Sequence, residues 1–104
     1  MIFVAGQVAF DERGNLLHPG DLEAQTRVTM ENIKRVLAEF GATLRDVVMV
    51  KCYYVGSGNE ADWEPSIRVR QEYFGTPMPP STGIPVPTLT YPGMMTEIEV
   101  IAMA

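Results

Sequence analysis

Apolar positions in the first half of the chain predict two β-strands. Residues 2–10 alternate loosely between apolar and polar side chains, and turn-forming residues follow at 11–15. Residues 46–55 are β-branched or aromatic and nearly continuous in apolar character. A run of that kind is typical of a central strand that is covered on both faces.

The end of the chain is predicted to form a closing hairpin. Residues 82–89 would pair with residues 94–103 around a Tyr-Pro-Gly turn at 91–93. Pro85 and Pro87 have no amide hydrogen to donate, so the strand that contains them is expected to be irregular or to lie at an edge of the sheet.

A helix is predicted over residues 21–40. Asp21 can accept backbone hydrogen bonds as the N-cap, and Gly41 is expected to end the helix. Apolar residues recur close to one stripe, which should face the core, namely Val28, Ile33, Val36, Leu37 and Phe40.

A second helix is predicted over residues 61–74. Because proline fits only in the first turn of a helix, Pro65 suggests a start near Asp62. Trp63, Ile67 and Phe74 can then share one face of the helix, with Trp63 as a packing anchor.

The order of these elements, βαβαββ, predicts a single α/β sandwich of the α+β kind over residues 1–104. Two helices would cover one face of a mostly antiparallel sheet. The other face would carry Glu97 and Glu99 and would remain uncovered, as would the edge of the first strand. Association with further copies of the chain is the expected way to bury that face.

Composition narrows the possible functions. With 46% hydrophobic and 20% charged residues, the chain is typical of a soluble globular protein, and no apolar run is long enough to span a membrane, so we expect it in the cytoplasm. A net charge of −5 with only 8 scattered basic residues argues against nucleic acid as a partner. A single cysteine, Cys52, and a single histidine, His18, argue against a disulfide, a metal site and a catalytic triad.

Short segments spread over nearly the whole chain resemble the RidA/YjgF family. They are Val4-Ala5-Gly6-Gln7-Val8, Ala24-Gln25, Glu31-Asn32-Ile33, Asp46-Val47-Val48, Glu72-Tyr73-Phe74-Gly75, Pro79-Pro80-Ser81-Thr82 and Glu97-Ile98-Glu99-Val100-Ile101-Ala102. The resemblance implies a chorismate-mutase-like fold and a homotrimer with small-molecule clefts between its subunits. It also implies hydrolysis of enamines and imines, such as 2-aminoacrylate, without a metal or cofactor; some members are labelled endoribonucleases.

The same resemblance assigns candidate site residues. Glu97 matches the acidic residue that positions a water for attack on the imine carbon. Candidate substrate-binding residues are Gly6, Gln7, Tyr53, Ser81, Thr82 and Gly83.

Several positions depart from the family pattern. Ser81 replaces an arginine that clamps the substrate carboxylate, Ala5 replaces a serine, Gly83 a cysteine and Ile67 an asparagine. A hydroxyl cannot replace a guanidinium, so imines of the 2-aminoacrylate type are expected to be poor substrates. The usual further strand, with a cleft tyrosine, before the position of Met1 does not occur in this sequence.

Structural alternatives stay open for the individual residues. Glu97 could make an interface hydrogen bond or ion pair, and Glu99 is expected to pair with a base such as Lys51. Lys51 itself could be a Schiff-base amine, but it more commonly meets a carboxylate. Cys52 is expected to be a buried core residue, and Tyr53 and Tyr54 must point to opposite faces. The first hypothesis is a trimeric, cofactor-free hydrolase or deaminase that is not a standard 2-aminoacrylate deaminase; the alternative is a non-catalytic module that binds a metabolite or a protein, and an endoribonuclease is third.

Overall fold

The computed structural model describes residues 1–104 and contains one four-stranded sheet. Its strands are β1 (Ile2–Gln7), β2 (Val47–Val55), β3 (Ser81–Val86) and β4 (Thr96–Ala102). They lie in the order β1, β4, β2, β3. β4 is antiparallel to both of its neighbours, whereas β2 and β3 are parallel. The predicted element order and mostly antiparallel sheet are confirmed.

The predicted C-terminal hairpin is wrong, because β2 lies between β3 and β4. β3 is an edge strand, as the prolines indicated, and Pro85 lies beside Tyr54 in the parallel pair. Residues 87–95 carry the chain from that edge across β2 to the centre of the sheet. A Pro-Gly turn between two strand-like runs is also the pattern of a hairpin, so the local sequence could not distinguish the two connections.

Helix α1 (Leu22–Glu39) begins and ends as predicted. The carboxylate of Asp21 accepts a hydrogen bond from the Ala24 amide at 3.0 Å, and Gly41 adopts a φ of 73°, the left-handed conformation that terminates helices. The buried stripe is only partly as expected, because Phe40 is 64% exposed. The fully buried residues of α1 include three polar ones, which are Gln25, Thr26 and Thr29.

Helix α2 (Glu60–Phe74) begins earlier than predicted, so Pro65 lies inside it rather than in its first turn. The predicted shared face is only partly correct: Phe74 packs against the core, but Ile67 is exposed, and Ser66, Val69 and Arg70 are the buried residues of the helix. Hydrogen bonds between the polar side chains of this face allow it to be buried, as described below.

The core lies between the two helices and one face of the sheet. It contains residues of β2 and β4 that alternate along each strand, such as Val50, Cys52, Ile98 and Val100. The opposite face has no helix over it and leaves Phe3 71% exposed and Met49 49% exposed. Neither helix has the length and apolar character needed to cross a membrane.

Candidate functional site

Glu97 lies on the open face of the sheet, because its neighbours in β4, Thr96 and Ile98, are buried towards the helices. Its side chain leans over the backbone of β1. A β-carbon on Gly6 would lie 2.6 Å from Cδ and 2.8 Å from Cγ of Glu97. Only glycine therefore leaves room for the observed position of the carboxylate.

A β-bulge brings Gly6 beneath Glu97. Val4 lies opposite Val100 and Gln7 lies opposite Ile98, so three steps along β1 match two steps along β4. The extra residue bends and twists the strand locally, as bulges do. Sequence analysis missed this bulge, and the glycine within a strand was its one signal.

Tyr53 and Thr82 share the open face with Glu97. Tyr53 lies directly opposite Glu97 in the β2–β4 pair, and Thr82 lies beside Lys51 in the β2–β3 pair. Tyr54 is buried on the helical side, so the two tyrosines do point to opposite faces. The open face therefore has a carboxylate, a phenol and a hydroxyl in neighbouring strands.

The expected pairing of Glu99 with Lys51 is confirmed. The Nζ atom of Lys51 lies 3.6 Å from Oε1 of Glu99, and both side chains are more than one third exposed. Such exposed pairs contribute about 0 to 1 kcal/mol to stability. Glu97, in contrast, forms no ion pair and no hydrogen bond within the chain.

Ser81 and Gly83 lie on the other side of the sheet. They are in register with Val50 and Cys52, whose side chains face the helices, so Ser81 and Gly83 face α2. There the Nη1 atom of Arg70 donates to Oγ of Ser81 at 2.8 Å. Sequence analysis expected no cation at position 81; the structure brings one there from another element.

Arg70 is only 4% exposed and is the one buried basic residue of the chain. Its Nε donates to Oγ of Ser66, one helical turn earlier, at 3.2 Å. The spacing of Ser66, Val69, Arg70 and Tyr73 places all four on one helical face, a signal that sequence analysis did not use. Of these four residues, Arg70 borders a cavity of about 260 Å³, which is also lined by Tyr54, Trp63, Ile67, Ser81 and Gly83.

Gln7 lies apart from both groups. It is in register with the buried Ile98 and borders a cavity beside α1 with Asn32 and Arg35. Its Nε2 donates to the carbonyl of Ala5 at 3.1 Å. Within one chain, the candidate residues therefore occupy three places: the open face, the Arg70 cavity and the α1 side of β1.

The remaining candidates have structural surroundings. Cys52 is fully buried, with its Sγ 3.6 Å from the hydroxyls of both Ser66 and Thr96, and His18 is exposed in a loop. No group of three or more His, Cys, Asp or Glu side chains is placed to hold a metal ion.

Comparison with known proteins identifies the family. The family model described as Endoribonuclease L-PSP matches residues 1–104. A RutC family protein of Pyrococcus abyssi is 38% identical over 101 residues, which cover 97% of this chain and 76% of the relative. The chain belongs to the RidA/YjgF family.

Other relatives agree with this assignment. The 3-aminoacrylate deaminase RutC of Acinetobacter baylyi is 31% identical to this RidA/YjgF protein, over 98% of this chain and 78% of its own length. The crystal structure of the Rid family protein YyfB of Yersinia pestis superimposes with a TM-score of 0.87 at 33% identity, covering 99% of this chain and 77% of that one. The predicted fold class is thus confirmed by both topology and similarity.

Proposed function

We propose that this protein hydrolyses a small imine or enamine to a carbonyl compound and ammonia, without a cofactor, in clefts between the subunits of a homotrimer. The observation that carries the proposal is the Glu97 carboxylate, held over Gly6 on the open face with no partner in the chain. The relative named as a 3-aminoacrylate deaminase supports the reaction class.

Glu97 would act as a general base and then a general acid, returning each proton that it accepts. Its carboxylate accepts a proton from a water molecule as the water oxygen bonds to the imine carbon; the electron pair of the C=N π bond moves to nitrogen, and nitrogen takes that proton from Glu97 to give a neutral carbinolamine. Glu97 then accepts the hydroxyl proton of the carbinolamine as the carbonyl double bond forms; the C–N bond breaks with its electron pair going to nitrogen, which takes this proton from Glu97 and leaves as ammonia. Tyr53, directly opposite Glu97, is placed to contact the same small ligand.

Two features support assembly of several copies. The open face of the sheet has exposed apolar side chains, including Phe3 and Met49. In addition, Glu97 and Ser81 lie on opposite faces of one sheet, so only a second copy can bring such residues to one cleft. We expect light scattering to give the mass of a trimer; a mass near that of one 11.5 kDa chain would refute the assembly.

The replacement Glu97→Gln tests the catalytic role. The amide is nearly isosteric, so trimer mass and melting temperature should stay unchanged while hydrolysis of the small imine that the wild-type protein accepts falls at least about 100-fold. Glu99→Gln, which removes a carboxylate from the same strand and face, is the matched control and should retain activity. If Glu97→Gln instead melts early and dissociates but keeps its activity per folded trimer, the binding-module alternative is favoured.

Charge distribution gives no support to an endoribonuclease. Four of the basic side chains, Arg27, Lys34, Lys51 and Arg68, are already paired with carboxylates, and Arg70 is buried. These five residues therefore provide no cluster of unpaired cations that could bind phosphate groups. The cytoplasmic location expected from the sequence stays part of the proposal.

A further inference from the structure

We propose that Arg70 is an anion-binding residue, which holds the carboxylate of a small organic acid in the cavity between α2 and β3. The inference deepens the proposed function, on which it rests for the class of ligand, by stating that the imine or enamine is itself an acid. It also assigns the charged contact to a residue of α2 rather than to β3.

Arg70 has no counterion within the chain. Arg70 is 4% exposed and has no carboxylate within ion-pair distance, whereas the pairs of Arg27 and Arg68 lie on the exposed side of the helices. Burying a charge without an opposite charge is expensive unless the site serves to bind one. Its two hydrogen-bond partners in the chain, Ser66 and Ser81, are neutral hydroxyls.

Arg70 and Ser81 keep hydrogen-bond donors that are not used within the chain. Nη2 of Arg70 makes no hydrogen bond within the chain, yet no buried side-chain nitrogen or oxygen lacks a partner, so Nη2 retains some accessible surface, and Arg70 is one of the residues that line the cavity. The Ser81 hydroxyl accepts from Nη1 and therefore keeps its own hydrogen to donate. Two donors of this kind match the two oxygens of a carboxylate.

The cavity walls favour a small organic acid over an inorganic anion. Tyr54, Trp63 and Ile67 provide apolar and aromatic surface, and the volume of about 260 Å³ suits a ligand of a few heavy atoms. Arg70 is the only cation among the residues that line it. A single charge suits a carboxylate, whereas a phosphate dianion would be left partly uncompensated. A carboxylate bound by Arg70 would remove the reason for the sequence-based expectation that carboxylate-bearing imines are poor substrates.

Binding of pyruvate tests the inference, since pyruvate is the stable product of hydrolysing a three-carbon imino acid. Titration calorimetry of the whole protein should show pyruvate binding at least about 10-fold more tightly than its neutral amide, and more tightly than inorganic phosphate. Arg70→Gln should weaken pyruvate binding by about 30-fold or more, because it removes the charged contact made by a buried guanidinium. Arg68→Gln is the matched control, since it removes an exposed guanidinium from the same helix, and should leave the affinity within about twofold.

A second variant tests the inference even if Arg70→Gln fails to fold. Gly83→Val places an isopropyl group in the cavity and keeps Arg70; a β-carbon at this position has only an ordinary contact, 3.7 Å from Cε1 of Tyr54. Pyruvate binding should be lost in this variant as well. The inference is overturned if wild-type protein does not prefer pyruvate to the amide, if phosphate binds equally well, if Arg70→Gln or Gly83→Val keeps full affinity, or if Arg68→Gln weakens binding as much as Arg70→Gln does.

Failure of this inference can be told apart from failure of the proposed function. If the protein hydrolyses imines but its affinity for pyruvate does not depend on Arg70, only the inference is rejected. Arg70-dependent pyruvate binding without any hydrolysis would reject only the catalytic proposal.

Discussion

Replacing Gly6 with alanine should displace the Glu97 carboxylate without unfolding the protein. The new β-carbon would lie 2.6 Å from Cδ and 2.8 Å from Cγ of Glu97, whereas carbon atoms in contact are normally about 3.5 to 4.0 Å apart. One of the two groups must therefore move by about 1 Å. The end of a flexible side chain moves more easily than two paired strands, so Glu97 is the group that yields.

The cost should appear in activity and not in stability. A displacement of about 1 Å in a reacting group can cost about 100-fold in rate. The φ angle of Gly6 is not positive, so alanine can adopt its backbone conformation, and losing glycine's flexibility in the unfolded chain stabilises by about 0.4 to 1 kcal/mol. We therefore expect a melting temperature at or slightly above that of the wild type, with hydrolysis reduced about 100-fold.

The assay follows the disappearance of an imine generated by an amino-acid oxidase, with thermal melting of the same samples. Ala5→Ser is the control, because it adds one atom at the adjacent, exposed position of the same bulge and should change neither quantity. Full activity in Gly6→Ala would refute the idea that the bulge sets the position of Glu97. A large loss of melting temperature would show that the strands, and not the side chain, had moved.

Two further predictions concern stability. Gln25→Leu should lower the free energy of unfolding, measured by chemical denaturation, by about 3 kcal/mol or more, because the fully buried Gln25 amide donates to the carbonyls of His18 and Gly93 and accepts from the Met95 amide, at 2.7 to 2.9 Å. The control Gln71→Leu, at an exposed position, should change the free energy of unfolding by less than about 0.5 kcal/mol. Equal effects of the two substitutions would contradict this account. Hydrogen bonding to Arg27 lowers the pKa of Glu72 from its usual 4.5, so ionised Glu72 stabilises the fold above pH 4.5, and this contribution is lost as the pH falls through the lower, folded-state pKa. Melting temperatures measured from about pH 7 to 3 should decrease once the pH is below about 4.5, and the decrease should be smaller in Glu72→Gln. Identical profiles for the two proteins would show that the pair does not contribute to stability.

Much of the fold was determined by local sequence. The alternation within β4, the continuous apolar run of β2, the Asp21 cap and the Gly41 terminus each act within a few residues, so their signals are readable without knowing the rest of the molecule. The edge position of β3 also followed locally, since Pro85 has no amide hydrogen to donate.

The tertiary structure alone decided how strands β3 and β4 are placed and which face of α2 is buried. Insertion of β4 between β1 and β2 depends on long-range pairing, which a turn sequence does not encode. On α2, the bonds of Arg70 to Ser66 and Ser81 make a polar face suitable for burial, and one of those partners lies in a different element.

The candidate site shows the same division. Sequence resemblance identified Glu97, Gly6 and Ser81 as candidate site residues. The alternation of side chains along a strand determined that Tyr53 and Tyr54 face opposite sides of the sheet. The bulge that places Gly6 under Glu97 and the guanidinium that reaches Ser81 from α2 could come only from the folded chain. Both features form where segments that are far apart in sequence meet. There the close packing of side chains and the burial of a charge, rather than local propensity, determine where the side chains lie.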